Sequence, residues 1–156
     1  MDKKQYKIGV ISDTHGKLNP EVLDLFKDVD HIIHAGDICG TDVLHNLKKI
    51  APLTAVKGNM DFGELTSELN PTESIKLGQV FIYILHIQHM LDIEPDAKGF
   101  NVVITGHTHI PLIESKKSVL YINPGSATFP KHNNSPTIAF LYIAENKINA
   151  EIVELK

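Results

Sequence analysis

The chain has 156 residues, of which 42% are hydrophobic, so it can bury one core but is too short for two domains of ordinary size. Its formal net charge of −4 argues against a standing surface for nucleic acid or for an anionic membrane. Cys39 is the only cysteine, which excludes both an intramolecular disulfide and a zinc site with several cysteine ligands.

The same features predict a single domain over residues 1–156 and a cytoplasmic location. The apolar run near the N-terminus is too short for a secretory signal, and no apolar segment is long enough to span a bilayer. One cysteine suits a reducing compartment. A small phosphorylated substrate is compatible with the negative charge, because a bound metal can supply positive charge locally. Homo-oligomerisation is left open.

The first half of the chain alternates predicted strands with predicted helices. Asn19, Pro20 and Glu21 give a helix cap, a proline in the first turn and an early acidic residue, and Pro52 ends the second helix. Such alternation predicts parallel strands with right-handed crossovers and a site outside their carboxyl ends. The predicted strands cover residues 7–12, 31–35 and 53–57, and the predicted helices cover residues 20–28 and 42–49.

Closely spaced strands dominate the second half. A turn at residues 78–79 separates two of them, and a turn at residues 145–147 joins the last two as a hairpin. The polar stretch at residues 88–98 has room for one short helix. We therefore predict an α/β fold in which two sheets pack face to face with helices outside. The predicted strands cover residues 74–77, 80–85, 101–105, 112–115, 119–123, 137–144 and 148–154.

Each of five apolar runs ends in side chains that bind metal ions in proteins. The clearest case is Gly106-His107-Thr108-His109, which follows the buried run at residues 102–104. Residues i and i+2 of an extended chain point to the same side, so these two imidazoles face one space. One such pair is weak evidence, but five strand ends in order are strong evidence. The strand-end ligands are Asp13, His15, Asp37, Asn59, His86, His107 and His109.

This ordered series resembles the calcineurin-like metallophosphoesterase superfamily. The sequence Asn-Pro-Gly-Ser at residues 123–126 is similar to a signature of the short prokaryotic phosphodiesterases within it. The resemblance implies a four-layer α/β/β/α sandwich of two mixed sheets flanked by helices, with two metal ions at the strand tips. It assigns Asp13, His15 and His109 to one metal, Asn59, His86 and His107 to the other, and Asp37 to a bridging position.

The resemblance also implies a function, namely metal-dependent hydrolysis of a small phosphodiester by a hydroxide that bridges the two ions. Asp37, Asn59 and His107 are the residues expected to carry catalysis. The mixture of imidazole, carboxylate and amide ligands suits divalent transition metals better than calcium. We expect Mn²⁺, with Fe, Co²⁺, Ni²⁺ and Zn²⁺ as alternatives.

Three further residues are candidates for support of the site. Asp61 and His34 are candidates to orient ligands, and the alternatives are an ordinary turn aspartate and a buried histidine bonded to backbone. Many members of the family have a histidine at the position of Met60, where it assists the leaving group, so His89 is a candidate substitute. A glycine usually stands at the position of Ile87, so we expect the turn after His86 to follow another path or to tilt that side chain.

A second interpretation of the function stays open. A eukaryotic retromer subunit resembles the same sandwich and works as a scaffold after losing part of the ligand set, so the fold alone does not decide the function. In this chain all seven ligand positions carry competent side chains, and a scaffold has no physical need to bury so many polar groups together. We therefore favour a hydrolase over a metal-binding scaffold for protein interactions.

Overall fold

The computed structural model describes residues 5–131, 134–145 and 147–156, which form ten strands, three α-helices and one short 3₁₀ turn. In chain order these elements are β1 (Gln5–Ile11), α1 (Pro20–Leu25), β2 (His31–His34), α2 (Thr41–Lys48), β3 (Leu53–Ala55), α3 (Glu64–Glu68), β4 (Thr72–Leu77), β5 (Val80–Leu85), the 3₁₀ turn (Gln88–Met90), β6 (Val102–Ile104), β7 (Leu112–Lys116), β8 (Val119–Asn123), β9 (Thr137–Ala144) and β10 (Lys147–Glu154).

The first sheet has the strand order β10-β9-β1-β2-β3. Strands β1 to β3 run parallel, with Ile8 opposite His31 and Ile32 opposite Leu53, as the alternation of strands and helices predicts. Strand β9 pairs antiparallel with β1 and brings the β9–β10 hairpin into the sheet. The carboxyl ends of the three parallel strands therefore lie along one edge.

The second sheet has the strand order β4-β5-β6-β8-β7. Its three inner strands are parallel, whereas β4 and β7 run antiparallel to their neighbours at the two edges. The chain leaves the carboxyl end of β5 at His86, and it leaves that of β6 shortly before His107. Both sheets thus present ligand-bearing loops at strand ends.

The alternation of side chains along β1 divides the core into two layers. Ile8 and Val10 pack against the second sheet, whereas Ile11 and Phe26 belong to a cluster between the first sheet and its helices. A Cβ at Gly9 would lie 2.7 Å from the Phe26 ring, so glycine lets this ring pack directly on the strand. Burying an aromatic side chain of this kind stabilises a fold by about 2 to 3 kcal/mol.

The predicted architecture of two mixed sheets flanked by helical segments is confirmed. Helices α1 and α2 cover the outer face of the first sheet. The outer face of the second sheet carries a thinner layer, made by the 3₁₀ turn and the irregular chain after it, where Leu91 packs near Leu85 and Val103. The helices in the described ranges lack the length and apolar character that a membrane crossing requires.

Some element boundaries differ from the sequence prediction. Helix α1 ends at Leu25 rather than at residue 28, because Phe26 leaves the helical region with φ −91° and ψ 3°. Strand β3 ends at Ala55 rather than at Lys57, because the Lys57 N–H donates to the Asn70 carbonyl instead of to β2. Helix α3 is missing from the prediction, since five residues are too few for an apolar period to show.

Candidate metal centre

The seven strand-end ligands predicted from the sequence lie on the loops that follow β1, β2, β3, β5 and β6. Six of them form two groups, and within each group the donor atoms lie within 4.8 Å of one another. The fold assembles these groups from residues that are distant in the chain, such as His15 and His109, which are 94 positions apart. The first group is Asp13, His15 and His109, and the second is Asp37, His86 and His107.

Asn59 joins the second group through its side-chain amide. Its Oδ1 atom lies 3.2 Å from His107 Nδ1, close enough for a hydrogen bond or for two ligands that share one ion. Asn59 is exposed and His107 is partly exposed, whereas His86 is buried. Asn59 and His107 therefore form the edge of the centre that a solute can reach.

The carboxylates of Asp13 and Asp37 lie between the two groups. Asp37 Oδ2 is 3.2 Å from His86 Nε2 and 3.8 Å from His15 Nε2. Asp13 Oδ1 is 3.3 Å from His109 Nε2 and 3.8 Å from His86 Nε2. Each carboxylate thus faces histidines of both groups, and the central position expected for Asp37 alone is shared with Asp13.

In His86 and in His109, a hydrogen bond to a backbone carbonyl determines which ring nitrogen faces the centre. His86 Nδ1 lies 2.7 Å from the Ala35 carbonyl oxygen, and His109 Nδ1 lies 2.6 Å from the Phe129 carbonyl oxygen. Because a carbonyl oxygen only accepts, each Nδ1 carries the proton and donates it. The lone pair of each Nε2 is then directed at the centre, as a metal ligand requires.

Two buried atoms that could bind a metal ion have no hydrogen-bond partner among the described residues, namely Asp13 Oδ1 and His86 Nε2. Burial raises the pKa of Asp13 above its ordinary value, and the His86 imidazole only partly opposes this. Burial also lowers the pKa of His86, but the adjacent Asp37 and Asp13 carboxylates outweigh it, and the pKa is raised. Unpaired buried groups of this kind are costly, so the donor set fits divalent cations that would bond to them.

Five of the seven candidate ligands have a positive φ, which is uncommon for residues other than glycine. Backbone pairing between the loops after β1 and β2 supports this conformation. The Asp13 N–H donates to the Gly36 carbonyl at 3.0 Å, and the His15 N–H donates to the Asp37 carbonyl at 3.0 Å. Local strain is therefore concentrated at the site. The φ values are 54° for Asp13, 47° for His15, 55° for Asp37, 71° for His107 and 63° for His109.

Asp61 contacts the backbone of the site rather than a ligand side chain. Its carboxylate accepts hydrogen bonds of 2.8 to 3.0 Å from the N–H groups of Asp37, Ile38, Cys39 and Gly58. The loops after β2 and β3 are thereby tied together, and Gly58 immediately precedes Asn59. Asp61 thus does more than stabilise its own turn, because it fixes the backbone on which Asp37 is carried.

His34 lies outside both groups of ligands. Its Nδ1 atom accepts from the Gly36 N–H at 3.1 Å. The Thr14 hydroxyl donates to the Ile38 carbonyl, so its oxygen is free to accept from His34 Nε2 at 3.1 Å. Both nitrogens are engaged, and burial lowers the pKa of His34 to about 3. His34 is therefore a neutral group that holds the loops after β1 and β2 together.

The two departures from the family pattern have different consequences. Ile87 has φ −113°, so the turn after β5 stays extended and the β-branched side chain is unstrained, while His86 still reaches the second group. Met60 is 47% exposed, and its N–H donates to Asp37 Oδ1 at 2.8 Å. His89 is exposed and lines the same cavity as His107, so it lies beside the site without joining either group.

The residues that orient the Asp13 carboxylate were not predicted from the sequence. The Ser12 hydroxyl donates to Asp13 Oδ2 at 2.7 Å and the His107 N–H donates to the same oxygen at 2.9 Å, which directs Oδ1 at the centre. A side chain at Gly106 would collide with Ser12. The signature at residues 123–126 was the available signal, since the Ser126 hydroxyl donates to the Asp13 carbonyl at 2.7 Å.

A model of the calcineurin-like phosphoesterase superfamily domain matches residues 6–146 of the chain. A probable metallophosphoesterase of Methanothermobacter thermautotrophicus is 38% identical over 157 residues, which cover 94% of this chain and 91% of that protein. A solved archaeal phosphodiesterase is 28% identical, with a TM-score of 0.79 over 94% of this chain and 99% of its own. Vacuolar Protein Sorting 29 from Cryptosporidium parvum, at 19% identity, shares the fold with a TM-score of 0.83 over 99% of this chain and 93% of its own.

The chain therefore belongs to the calcineurin-like phosphoesterase superfamily. This confirms the resemblance inferred from the strand-end ligands. Its relatives include metallophosphoesterases and phosphodiesterases, so the class of function that the family supports is a hydrolase of phosphate esters. The family also implies divalent metal ions, and the two ligand groups are the candidate sites for them.

Proposed function

We propose that this protein is a phosphodiesterase that cleaves a small phosphodiester with two divalent metal ions, Mn²⁺ being the expected metal. The observation that carries the proposal is the pair of adjoining ligand groups, with Asp13 and Asp37 facing histidines of both. The single-domain organisation and the cytoplasmic location stay predictions from the sequence.

The residues of the chain have distinct roles in this proposal. Asp13, His15 and His109 would hold one ion, and Asn59, His86 and His107 the other, with Asp37 between them. When bound, divalent cations supply positive charge to phosphoryl oxygens and lower the pKa of water toward neutrality. Asn59 and His107, at the accessible edge, would contact the phosphoryl group directly, and the Met60 N–H holds Asp37 in its central orientation.

The test is hydrolysis of bis(p-nitrophenyl) phosphate by metal-stripped protein to which single divalent metals are added back. We expect activity only with added metal, highest with Mn²⁺, and a loss of at least about 10²-fold in Asp37→Asn, because one central carboxylate charge is removed. Asp24→Asn removes an exposed carboxylate on α1 and is the matched control. Wild-type turnover in Asp37→Asn at verified metal loading would refute the proposal.

A second candidate function is a metal-binding scaffold for protein interactions. The fold likeness to Vacuolar Protein Sorting 29 supports it, as do large apolar side chains exposed near the ligands, since Phe62 is 69% and Phe129 is 44% exposed. Protein that binds two ions but hydrolyses neither diesters nor monoesters would favour this candidate. The buried, unpaired ligand atoms suit bound metal in either candidate, so hydrolysis is the observation that separates the two.

A further inference from the structure

Two cavities adjoin the candidate metal centre, since His107 lines one and Met60, whose N–H contacts Asp37, lines the other. One, of about 440 Å³, is lined by His107 together with Ile87, Leu91 and Tyr121 and runs along the outer face of the second sheet. The other, of about 490 Å³, is lined by Met60 and other residues that follow β2 and β3. A phosphodiester has two ester arms, and the two cavities offer each arm a place beside a phosphoryl group held at the centre. We call the first cavity the His107 groove and the second the Met60 cavity.

The two cavities differ in charge. The His107 groove is lined by His89 and Lys116, and none of its described lining residues is acidic. The Met60 cavity is lined by Glu64, Thr41 and mostly apolar side chains, and its described lining includes no lysine, arginine or histidine. An anionic arm is therefore favoured in the His107 groove and disfavoured in the Met60 cavity, which selects one orientation of an unsymmetrical diester.

The walls of the His107 groove suit a flat ring. Ile87 and Leu91 provide apolar surface, and Tyr121 presents an aromatic ring that is itself packed near Leu85 and Val103. Aromatic side chains bind rings with favourable geometry at little entropic cost. A third cavity, of about 240 Å³, shares Leu91, Lys116 and Tyr121 with the groove and is also lined by Glu94 and Asp96. It gives room for an arm longer than one ring, but its carboxylates disfavour a further anionic group there.

Lys116 supplies the charge in the His107 groove. Its Nζ atom lies 5.4 Å from the centre of the Tyr121 ring and 3.6 Å from Glu114 Oε2. The side chains of Lys116 and Glu114 are 50% and 44% exposed, and exposed pairs of this kind contribute little. The ammonium group is therefore free to exchange this partner for a phosphate oxygen beside the ring.

We propose that the His107 groove binds the nucleoside arm of a nucleotidyl phosphodiester, with the ring against Tyr121 and a second phosphate paired with Lys116. This inference rests on the proposed function for the placement of the phosphoryl group. It deepens that function by naming nucleotidyl diesters as the substrate class.

The first experiment measures binding, and it needs no turnover. Calorimetry with metal-loaded protein compares thymidine 3′,5′-bisphosphate with thymidine 5′-monophosphate. We expect the bisphosphate to bind about tenfold more tightly, and Lys116→Gln to remove this difference, because the lost contact is a charge-assisted hydrogen bond. Tyr121→Leu keeps apolar bulk and should weaken both ligands about fivefold. Lys76→Gln is the matched control, since Lys76 also lies over a ring, that of Phe81, but on β4.

The outcomes separate the inference from the proposed function. Metal-dependent hydrolysis of methyl p-nitrophenyl phosphate, whose second arm is too small to fill the groove, tests the proposed function alone. A bisphosphate preference that persists in Lys116→Gln, or octyl phosphate binding more tightly than thymidine 5′-monophosphate, would overturn the inference even if the methyl ester is cleaved. A preference that depends on Lys116 without any cleavage would support the groove and refute the hydrolase.

Discussion

His34 has both ring nitrogens engaged by neighbouring groups, whereas His86 and His109 each donate from Nδ1 and direct Nε2 at the candidate metal centre. At the scale of the residue, hydrogen bonds therefore separate a structural histidine from candidate ligands. His34 and His86 both lie at the carboxyl end of a buried strand, so their sequence environments are alike. Their roles differ because of partners that are distant in the chain, which the sequence does not reveal.

His34 should make stability depend on pH. Its pKa is lowered to about 3 in the folded state by burial, so between that value and 6.5 only the unfolded chain binds the proton. The contribution of neutral His34 to the free energy of unfolding is complete above pH 6.5. It is lost as the pH falls, at up to about 1.4 kcal/mol per pH unit. Urea unfolding with a chelator present should give a shallower pH dependence for His34→Gln than for wild type. An equal slope in both, with exposed His45→Gln as the control, would contradict the prediction.

In the proposed reaction the leaving group should matter, because the thioether side chain of Met60 cannot act as a general acid. An aryl oxide leaves unprotonated at neutral pH, whereas an alkoxide needs an acid, and positioned acids contribute about 10² to 10⁴ in rate. We expect wild type to hydrolyse aryl diesters much faster than alkyl diesters. The Met60→His substitution should raise kcat/KM more for alkyl than for aryl esters. The measurement is kcat/KM on one ester of each type at equal metal loading.

His89 is the rival acid in that experiment, since it lines the His107 groove. A loss confined to the alkyl ester in His89→Ala, absent from His45→Ala on the exposed face of α2, would transfer the role to His89. Equal gains on both esters in Met60→His would end the argument from a missing acid.

At the scale of the element, strand ends were predictable and connections were less so. Apolar runs identify buried strands, and ligands that follow them fall on one edge because parallel strands share direction. Helix α3 and the early end of β3 were missed, since both depend on Asn70 and Leu65 meeting distant parts of the fold. Three of the four hydrogen bonds of Asp61 reach backbone groups 22 to 24 residues away, which no local pattern encodes. The sharing of the central position by Asp13 was missed for the same reason.

The packing of α1 on β1 can be tested at Gly9. An added Cβ would lie 2.7 Å from the Phe26 ring, so either the ring or the strand must move. We expect Gly9→Ala to lower the free energy of unfolding by about 1 to 3 kcal/mol, the usual cost of overpacking. Urea unfolding measures the change. The double variant Gly9→Ala with Phe26→Leu should be less destabilised than the sum of the single changes, and strict additivity would refute the proposed clash.

At the scale of the whole molecule, bound metal should stabilise the fold. The ligand groups join loops of both sheets, and the unfolded chain has no such site. Metal at a hundredfold excess over its dissociation constant raises the free energy of unfolding by about 2.7 kcal/mol per site. Chelation should therefore lower the melting temperature by about 5 °C or more. The shift should be smaller in Asp37→Asn. An unchanged melting curve after verified metal removal would count against preformed sites.

The place of β9 beside β1 has a consequence for synthesis on the ribosome. Six residues of β1 pair with residues 139–144, so β1 is translated long before the strand that covers its second edge. Until then an apolar strand with unpaired N–H and carbonyl groups is open to association with other chains. The loop that carries Asp13 also lacks its stabilising hydrogen bonds at first, because His107 and Ser126, which donate them, are translated later. Nascent chains halted before Thr137 should therefore depend on chaperones, and chains halted before His107 lack part of both ligand groups and should not bind metal there.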